Sequence, residues 1–180
     1  MLNKNHVIAY PTESMFALGC DPSNFQAVKK LLLLKKRCVK KGFILVAAHY
    51  EQIKMYIDEH CLSSAQKKKM FFYWPGPFTL LVPAKSSVPY WLNGGLNTVA
   101  VRISAHCGII KLCNFFGKAL ISTSANISKM KPCISREEVV KNFGENFPLL
   151  DGEIGYEKHP STIINIINGK FIRYVQMQKI

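Results

Sequence analysis

The segment from Leu34 to Gly42 concentrates basic side chains that could bind an anion: Lys35, Lys36, Arg37, Lys40 and Lys41. Lys35 follows Val28 by seven residues, on the stripe of a predicted helix that would be buried. There its stem can snorkel outward, or its ammonium can point into a cavity. Arg37 stands two residues later in a turn, and two cations held close together repel unless an anion lies between them. Lys35 and Arg37 are therefore candidate anion ligands, with a solvated lysine cluster as the alternative.

Two other segments place hydroxyl groups directly after apolar strands. The first, YPTES at residues 10–14, offers Thr12 and Ser14, while Glu13 could receive a substrate ammonium group. The second, LISTSAN at residues 120–126, has a run of hydroxyl groups and ends in Asn126. Such a run suits a loop that hydrogen-bonds phosphate or ribose. An ordinary capped turn is the alternative for both segments.

Arg102 is the charged residue within the apolar strand predicted at Thr98–Ser104. A buried arginine is costly without a partner. It either pairs with an internal carboxylate at the rim of the fold or binds an anionic ligand, and the sequence favours neither. Ser161 and Thr162 follow Pro160 and present further hydroxyl groups at the start of the last predicted hairpin.

Composition and missing motifs narrow the possible functions. Twenty-four Lys and Arg against eleven Asp and Glu give a formal net charge of +13, which favours a polyanionic partner such as a nucleotide, a nucleic acid or an acidic membrane surface. There is no G-x-x-x-x-G-K-[ST] loop, so ATP would not be held by a P-loop, and no G-x-S-x-G elbow or H-E-x-x-H zinc motif. No secretory signal, membrane-span pattern or C-x-x-C pair is present, which predicts a cytoplasmic protein with reduced thiols and no membrane association.

Alternating strands and helices must position these residues. Strands are predicted at residues 6–10, 42–48, 78–83, 98–104 and 119–122, and helices at 23–36, 51–59, 63–73, 106–116 and from 135 onward. Asp21 or Ser23 is the predicted cap of the first helix. Asn168-Gly169 joins the last two strands, 161–167 and 170–175, as a hairpin. This order predicts one α/β domain over residues 1–180, with helices packed on a mixed sheet and functional residues where strands end in loops.

Taken in order, several segments resemble the YrdC/TsaC family of threonylcarbamoyl-adenylate synthases. They are YPTES-x-FALGCDP, LKKR-x-x-KKGFILVAA, WPGPFTLLVPA, VAVRIS and STSANIS, spread from about Val7 to Arg173. The resemblance implies a twisted α/β sheet, of the YrdC type, around a basic concave cavity. It also implies a nucleotidyltransferase that makes threonylcarbamoyl-AMP and pyrophosphate from L-threonine, bicarbonate and ATP, the first step in adding a threonylcarbamoyl group to tRNA.

The resemblance also carries over individual residues. The family's K-x-R and S-x-N elements match Lys35, Arg37, Ser124 and Asn126, and the first two are the implied catalytic residues. The implied threonine contacts are Thr12, Arg102, Ser122 and Ser161, and the implied ATP contacts are Lys35, Arg37, Thr98, Ser124, Asn126 and Arg173, with Lys41 a weaker match. Mg²⁺ is expected with ATP, bound mainly by phosphate oxygens because the sequence has no carboxylate cluster, so no protein metal ligand is predicted. tRNA and the threonylcarbamoyl-transferase complex are the implied downstream partners.

Two features depart from the family pattern. The chain begins a few residues before the first predicted strand, where the family usually has an N-terminal helix, and Cys38 stands where the family usually has proline. Two other functional classes stay open from the sequence alone. One is a basic module that binds double-stranded RNA or tRNA without making the adenylate, supported by the net charge. The other is a regulatory domain that senses a nucleotide.

Overall fold

One mixed sheet of eight strands organises the chain. The structure is a computed structural model and describes residues 5–174. The strands are β1 (Ile8–Pro11), β2 (Phe16–Cys20), β3 (Ile44–Ala47), β4 (Phe78–Pro83), β5 (Thr98–Ile103), β6 (Leu120–Ser124), β7 (Thr162–Asn165) and β8 (Phe171–Arg173). Their order across the sheet is β1-β2-β6-β3-β5-β4-β7-β8. The β3–β5 and β4–β7 pairs are parallel and the other neighbours are antiparallel, so the mixed α/β sheet predicted from the sequence is confirmed.

Within the described residues, five helices accompany the sheet: α1 (Phe25–Lys35), α2 (Ser64–Tyr73), α3 (Tyr90–Asn93), α4 (Cys107–Phe116) and α5 (Arg136–Phe143). Side chains satisfy the free N–H groups at several of their first turns. Ser63 and Gln66 form a capping box at α2, and Ser135 accepts from the Glu138 N–H at α5. None of the helices in residues 5–174 is long and apolar enough to cross a membrane.

Residues along each strand alternate between two faces of the sheet, and this alternation separates the core from a cavity. The core face of the central strands contributes Leu45, Ala47, Leu80, Val82, Val99, Val101 and Ile103 to the main apolar cluster. The intervening residues, which line the cavity, are Ile44, Val46, Thr79, Leu81, Thr98, Ala100 and Arg102. On the core face α1 buries Ala27, Val28 and Leu31. On the cavity face α4 packs Ile109 and Cys113 into a smaller apolar cluster.

Several predicted elements need correction. Strand β2 was not predicted, because Phe16–Cys20 has no β-branched residue and follows a polar turn, yet all of its residues are buried between β1 and β6. Asn24, rather than Asp21 or Ser23, caps α1 by accepting from the Ala27 N–H. The helix predicted over residues 51–59 is replaced by short 3-10 turns. The last two strands do pair antiparallel, but residues 166–170 connect them instead of a two-residue turn, and residue 175 lies outside the described residues.

Two glycines allow α3 to approach the turn that follows α1. Gly42 has a φ of 56°, and a Cβ there would lie 2.7 Å from the Leu92 carbonyl oxygen. Gly94 has a φ of 69°, and a Cβ there would lie 2.2 Å from the Lys40 carbonyl oxygen. Both positions therefore require glycine for its left-handed backbone and for the missing side chain.

We expect Gly94→Ala to lower the free energy of unfolding by about 2–5 kcal/mol, because left-handed backbone strain costs about 1–2 kcal/mol and overpacking about 1–3 kcal/mol. Gly95→Ala is the matched control, since Gly95 also has a positive φ of 83° but nothing lies within 4 Å of its Cβ position. It should cost only the strain. Urea unfolding measures both variants, and equal losses would show that the close contact with Lys40 is not a constraint.

Candidate functional site

A cavity of about 540 Å³ opens on the face of the sheet opposite the main core. Its size falls within the range of small-molecule sites, roughly 300–1,000 Å³. Arg37, Lys41, Arg102 and Arg173 line it, and within residues 5–174 no aspartate or glutamate does. Hydroxyl groups complete the polar part of the wall: Thr12, Ser14, Thr79, Thr98, Ser122, Thr123, Ser124 and Ser161. This combination of positive charge and hydrogen-bonding groups suits an anionic, polar ligand.

Arg37 enters the cavity wall from the turn after α1. The helix ends at Lys35, and the left-handed backbone of Lys36, with a φ of 48°, reverses the chain direction. The Nη2 of Arg37 then donates to the Gly42 carbonyl oxygen at 2.9 Å, and the guanidinium lies 5.2 Å from the centre of the Phe43 ring. Burial lowers the pKa of Arg37, although a guanidinium stays charged at any physiological pH. Its Nε is buried and has no hydrogen-bond partner within the described residues.

Lys35 lies behind the cavity wall rather than on it. Only 2% of the residue is exposed, and its ammonium donates to the Ser124 carbonyl oxygen at 2.5 Å and to the backbone and side-chain oxygens of Asn126, both at 2.9 Å. The same Asn126 Oδ1 accepts from the Ser124 hydroxyl at 2.7 Å. Lys35 and Asn126 thus fix the turn that presents Ser124 to the cavity. Burial, and then the charge of Arg37, lowers the pKa of Lys35 to about 8.

Arg102 pairs with an internal carboxylate, one of the two alternatives that the sequence left open, and it also lines the cavity. Its Nη2 forms an ion pair with Glu13 Oε1, which also accepts from the Ser104 hydroxyl at 2.6 Å, and its Nε donates to the Gly76 carbonyl oxygen at 3.0 Å. Arg102 nevertheless lines the cavity, and its Nη2 has no partner in hydrogen-bond geometry. The internal carboxylate holds the guanidinium in place, and the guanidinium still faces the cavity. Glu13, whose Oε1 is occupied in this way, is not part of the cavity lining.

Arg173 reaches the cavity from the edge strand β8. Its Nε and Nη2 donate to the Ser161 carbonyl oxygen at 2.9 and 2.7 Å, and Nη2 also lies 3.1 Å from the Ser161 hydroxyl oxygen. Across the described part of the chain, no carboxylate forms a salt bridge with it. Burial, and then the charge of Arg102, lowers the pKa of Arg173. Its positive charge is therefore uncompensated near a second guanidinium, an arrangement that an anion would relieve.

The structure brings most of the residues singled out in the sequence to one cavity. Those in its wall are Thr12, Arg37, Lys41, Thr98, Arg102, Ser122, Ser124, Ser161 and Arg173. Lys35 and Asn126 lie directly behind it, and the assignment of individual residues to catalysis, threonine or ATP stays a prediction. The polar lining residues that sequence reasoning missed are Thr79 and Asn93, whereas Thr123 belongs to the hydroxyl run singled out at residues 120–126. For Thr79 a signal existed, because it is a lone hydroxyl in an otherwise apolar strand.

The cavity wall offers little to a metal ion. The part of the chain that the structure describes has no group of three or more His, Cys, Asp and Glu able to hold a metal. The lining residues supply cations and neutral oxygens instead. Mg²⁺ prefers anionic oxygen ligands, so an ion bound here would draw its ligands from a substrate and from water.

Comparisons with known proteins give consistent matches along almost the whole chain. The Sua5/YciO/YrdC family model, described as telomere recombination, matches residues 1–174. The threonylcarbamoyl-AMP synthase of Buchnera aphidicola subsp. Acyrthosiphon pisum is 67% identical over 97% of this chain and 100% of its own length. The protein of the same name from Photorhabdus laumondii is 49% identical over 96% of this chain and 91% of its own length.

Solved structures share the fold. Sua5 of P. abyssi, in a crystal structure complexed with L-threonine, matches with a TM-score of 0.82 and 30% identity over 91% of this chain, which spans 48% of that longer protein. E. coli YciO matches with a TM-score of 0.76 over 91% of this chain and 79% of its own, and at 22% identity this likeness concerns the fold alone. The predicted YrdC-type sheet is confirmed.

We expect Lys35→Met to lower the free energy of unfolding by about 2–4 kcal/mol, because each buried acceptor that loses its donor costs about 1–3 kcal/mol. The matched control is Lys30→Met on the same helix, where the side chain is exposed and the change should stay within about 0.5 kcal/mol. Urea unfolding measures both. If the two variants are equally stable, the buried contacts of Lys35 do not hold the turn after β6.

Proposed function

Because the chain belongs to the Sua5/YciO/YrdC family, we propose that it is a threonylcarbamoyl-AMP synthase. In this reaction L-threonine, bicarbonate and ATP give threonylcarbamoyl-AMP, pyrophosphate and water. The observation that carries the proposal is the cavity, where cations and hydroxyl groups from separate segments meet and no acidic side chain among residues 5–174 enters the wall. A triphosphate and an amino-acid carboxylate are both anionic, so a site that holds them side by side needs several cations to bind them.

The reaction needs positioning and shelter from water more than covalent help from the protein. The threonine amine attacks bicarbonate, or the CO₂ derived from it, and gives a carbamate. The carbamate decomposes if bulk water reaches it, so the site must exclude water. A carbamate oxygen then attacks the α-phosphorus of ATP, the bond from that phosphorus to the bridging oxygen breaks, and pyrophosphate leaves. Fixed cations and aligned reactants supply most of the acceleration in such phosphoryl chemistry.

We assign the lining residues to the two substrates as the resemblance implies. Arg37, Thr98, Ser124 and Arg173 contact ATP, and Thr12, Arg102, Ser122 and Ser161 contact threonine. Arg37 lines the cavity and has no acidic partner within the described residues, and this uncompensated charge supports its place on the triphosphate. Lys35 and Asn126 serve the ATP side through the turn that holds Ser124. Lys35 would also gain a proton more readily once a triphosphate lies nearby, because an anion raises a lowered lysine pKa.

The remaining partners are proposed on the same basis. Mg²⁺ would enter with ATP and be held by phosphate oxygens and water, because the wall lacks carboxylates within the described residues. The product would pass to a threonylcarbamoyl-transferase complex that acts on tRNA, in the cytoplasm. The shared name of the similar relatives favours this synthase over a basic RNA-binding module.

We expect pyrophosphate release from ATP only when threonine and bicarbonate are both present. Arg37→Ala should reduce the rate by about 10²-fold or more, the usual effect of removing a charge that stabilises a phosphoryl transition state. Lys68→Ala is the control, since Lys68 is exposed on α2 and does not line the cavity. It should keep full activity. A coupled pyrophosphate assay measures all three proteins.

Release that ignores threonine would contradict the synthase reading, and full activity in Arg37→Ala would contradict the site. A basic RNA-binding module predicts a different pattern. It would bind RNA with an affinity that falls steeply with salt and that ATP and threonine do not change.

A further inference from the structure

The contacts around Arg173 single out a residue that the sequence-based site omitted, Thr79. We infer that Thr79 is a positioning residue: its hydroxyl fixes Ser161, and Ser161 fixes the guanidinium of Arg173 beside Arg102. The inference rests on the proposed function and deepens it, because it names what sets the geometry at the end of the cavity where an oxyanion of either substrate would bind.

Thr79 is a fully buried hydroxyl in an apolar strand. It is 0% exposed, and its neighbours in β4 are Phe78, Leu80 and Leu81. Its Oγ1 lies 2.8 Å from the Ser161 Oγ, a hydrogen bond in which either hydroxyl can donate. A buried hydroxyl without a partner is costly, so Thr79 and Ser161 satisfy each other across the β4–β7 boundary.

The strand register places Thr79 between the two arginines. Thr79 pairs with Ile163 on β7, and Ile163 pairs with Arg173 on β8. On its other side, the antiparallel register Leu80↔Val101 continues by one step to Thr79 opposite Arg102. Arg102, Thr79, Ile163 and Arg173 therefore form one row across four neighbouring strands, and all four line the cavity. With strands about 4.8 Å apart, two long arginine side chains at the ends of this row can reach towards its middle.

The two arginines differ in how they are held. Arg102 has an acidic partner, Glu13, as well as the Gly76 carbonyl oxygen. Arg173 has only the carbonyl and hydroxyl oxygens of Ser161 among the contacts seen in residues 5–174. Because the charges of the two guanidiniums repel each other, Arg173 is the one free to move away. Its position therefore depends on how firmly Ser161 is held.

Thr79 restricts Ser161 by limiting what its hydroxyl can do. The Ser161 hydroxyl oxygen accepts from Arg173, and its other hydrogen bond among the described residues is with Thr79. Without the Thr79 hydroxyl, the Ser161 side chain can rotate to another rotamer, and one of the two acceptors of Arg173 Nη2, the Ser161 hydroxyl oxygen, moves with it. Valine has nearly the same shape as threonine but lacks the hydroxyl, so Thr79→Val removes this one bond, and Thr79→Ser keeps it.

We expect Thr79→Val to raise the KM for ATP or for threonine about tenfold with a smaller change in kcat, because it weakens binding of the ground state and transition state alike. The substrate whose KM rises is the one whose oxyanion, phosphate or carboxylate, lies between the arginines. Thr79→Ser should return that KM to within about twofold of the wild type. Steady-state pyrophosphate release measures the three proteins, with melting temperatures recorded beside it.

A double-mutant cycle separates positioning from general packing. In an Arg173→Ala background Thr79→Val should have no further effect on KM, because the residue that Thr79 positions is gone. An unchanged KM for both substrates in Thr79→Val, or an equal effect with and without Arg173, would overturn the inference. If the wild-type protein releases no pyrophosphate from ATP with threonine and bicarbonate present, the proposed function is contradicted instead. Calorimetric binding of inorganic pyrophosphate, expected to be about tenfold weaker in Thr79→Val, then decides the role of Thr79, and equal binding would refute it.

Discussion

The cations in and behind the cavity wall repel one another, and the fold must still hold them close together. Four cations in or behind the cavity wall each donate to a main-chain carbonyl oxygen: Lys35 to Ser124 and Asn126, Arg37 to Gly42, Arg102 to Gly76, and Arg173 to Ser161. A carbonyl oxygen directs a donor without cancelling its charge, whereas a carboxylate would neutralise it. Only Arg102 also has an acidic partner in the described part of the chain. The fold thus keeps its cations oriented and still in need of an anion. Burial lowers the pKa values of Lys35, Arg37 and Arg173, and a neighbouring guanidinium lowers those of Lys35 and Arg173 further.

The stability needed to hold this arrangement comes from the other face of the sheet. The strand period of two sends every second side chain of β3, β4 and β5 into the main apolar cluster. The residues between them carry the polar groups of the cavity. A shift of one residue in the register would exchange the two sets, placing Arg102 in the core and Val101 in the cavity, so the apolar face strongly specifies the register on which the site depends.

Sequence reasoning could predict which face a residue occupies but not which residue it meets. In β5 the alternation of Val99, Val101 and Ile103 with Thr98 and Arg102 is readable directly, and the structure follows it. Lys35 and Asn126 are 91 positions apart in the sequence, and Thr79 and Ser161 are 82 apart. The periodicity of a helix or strand cannot predict contacts between residues so distant in sequence. For this reason the sequence placed Lys35 on a buried stripe correctly, yet left its destination open. Strand β2 escaped prediction because tertiary burial, rather than its own propensity, makes it a strand.

The most direct measurement is a calorimetric titration of the wild-type protein with a non-hydrolysable ATP analogue, with and without L-threonine. If the cavity holds a triphosphate beside an amino acid, each ligand binds once per chain, and the analogue still binds when threonine saturates the protein. No heat from either ligand, or competition in which threonine displaces the analogue, would contradict the account.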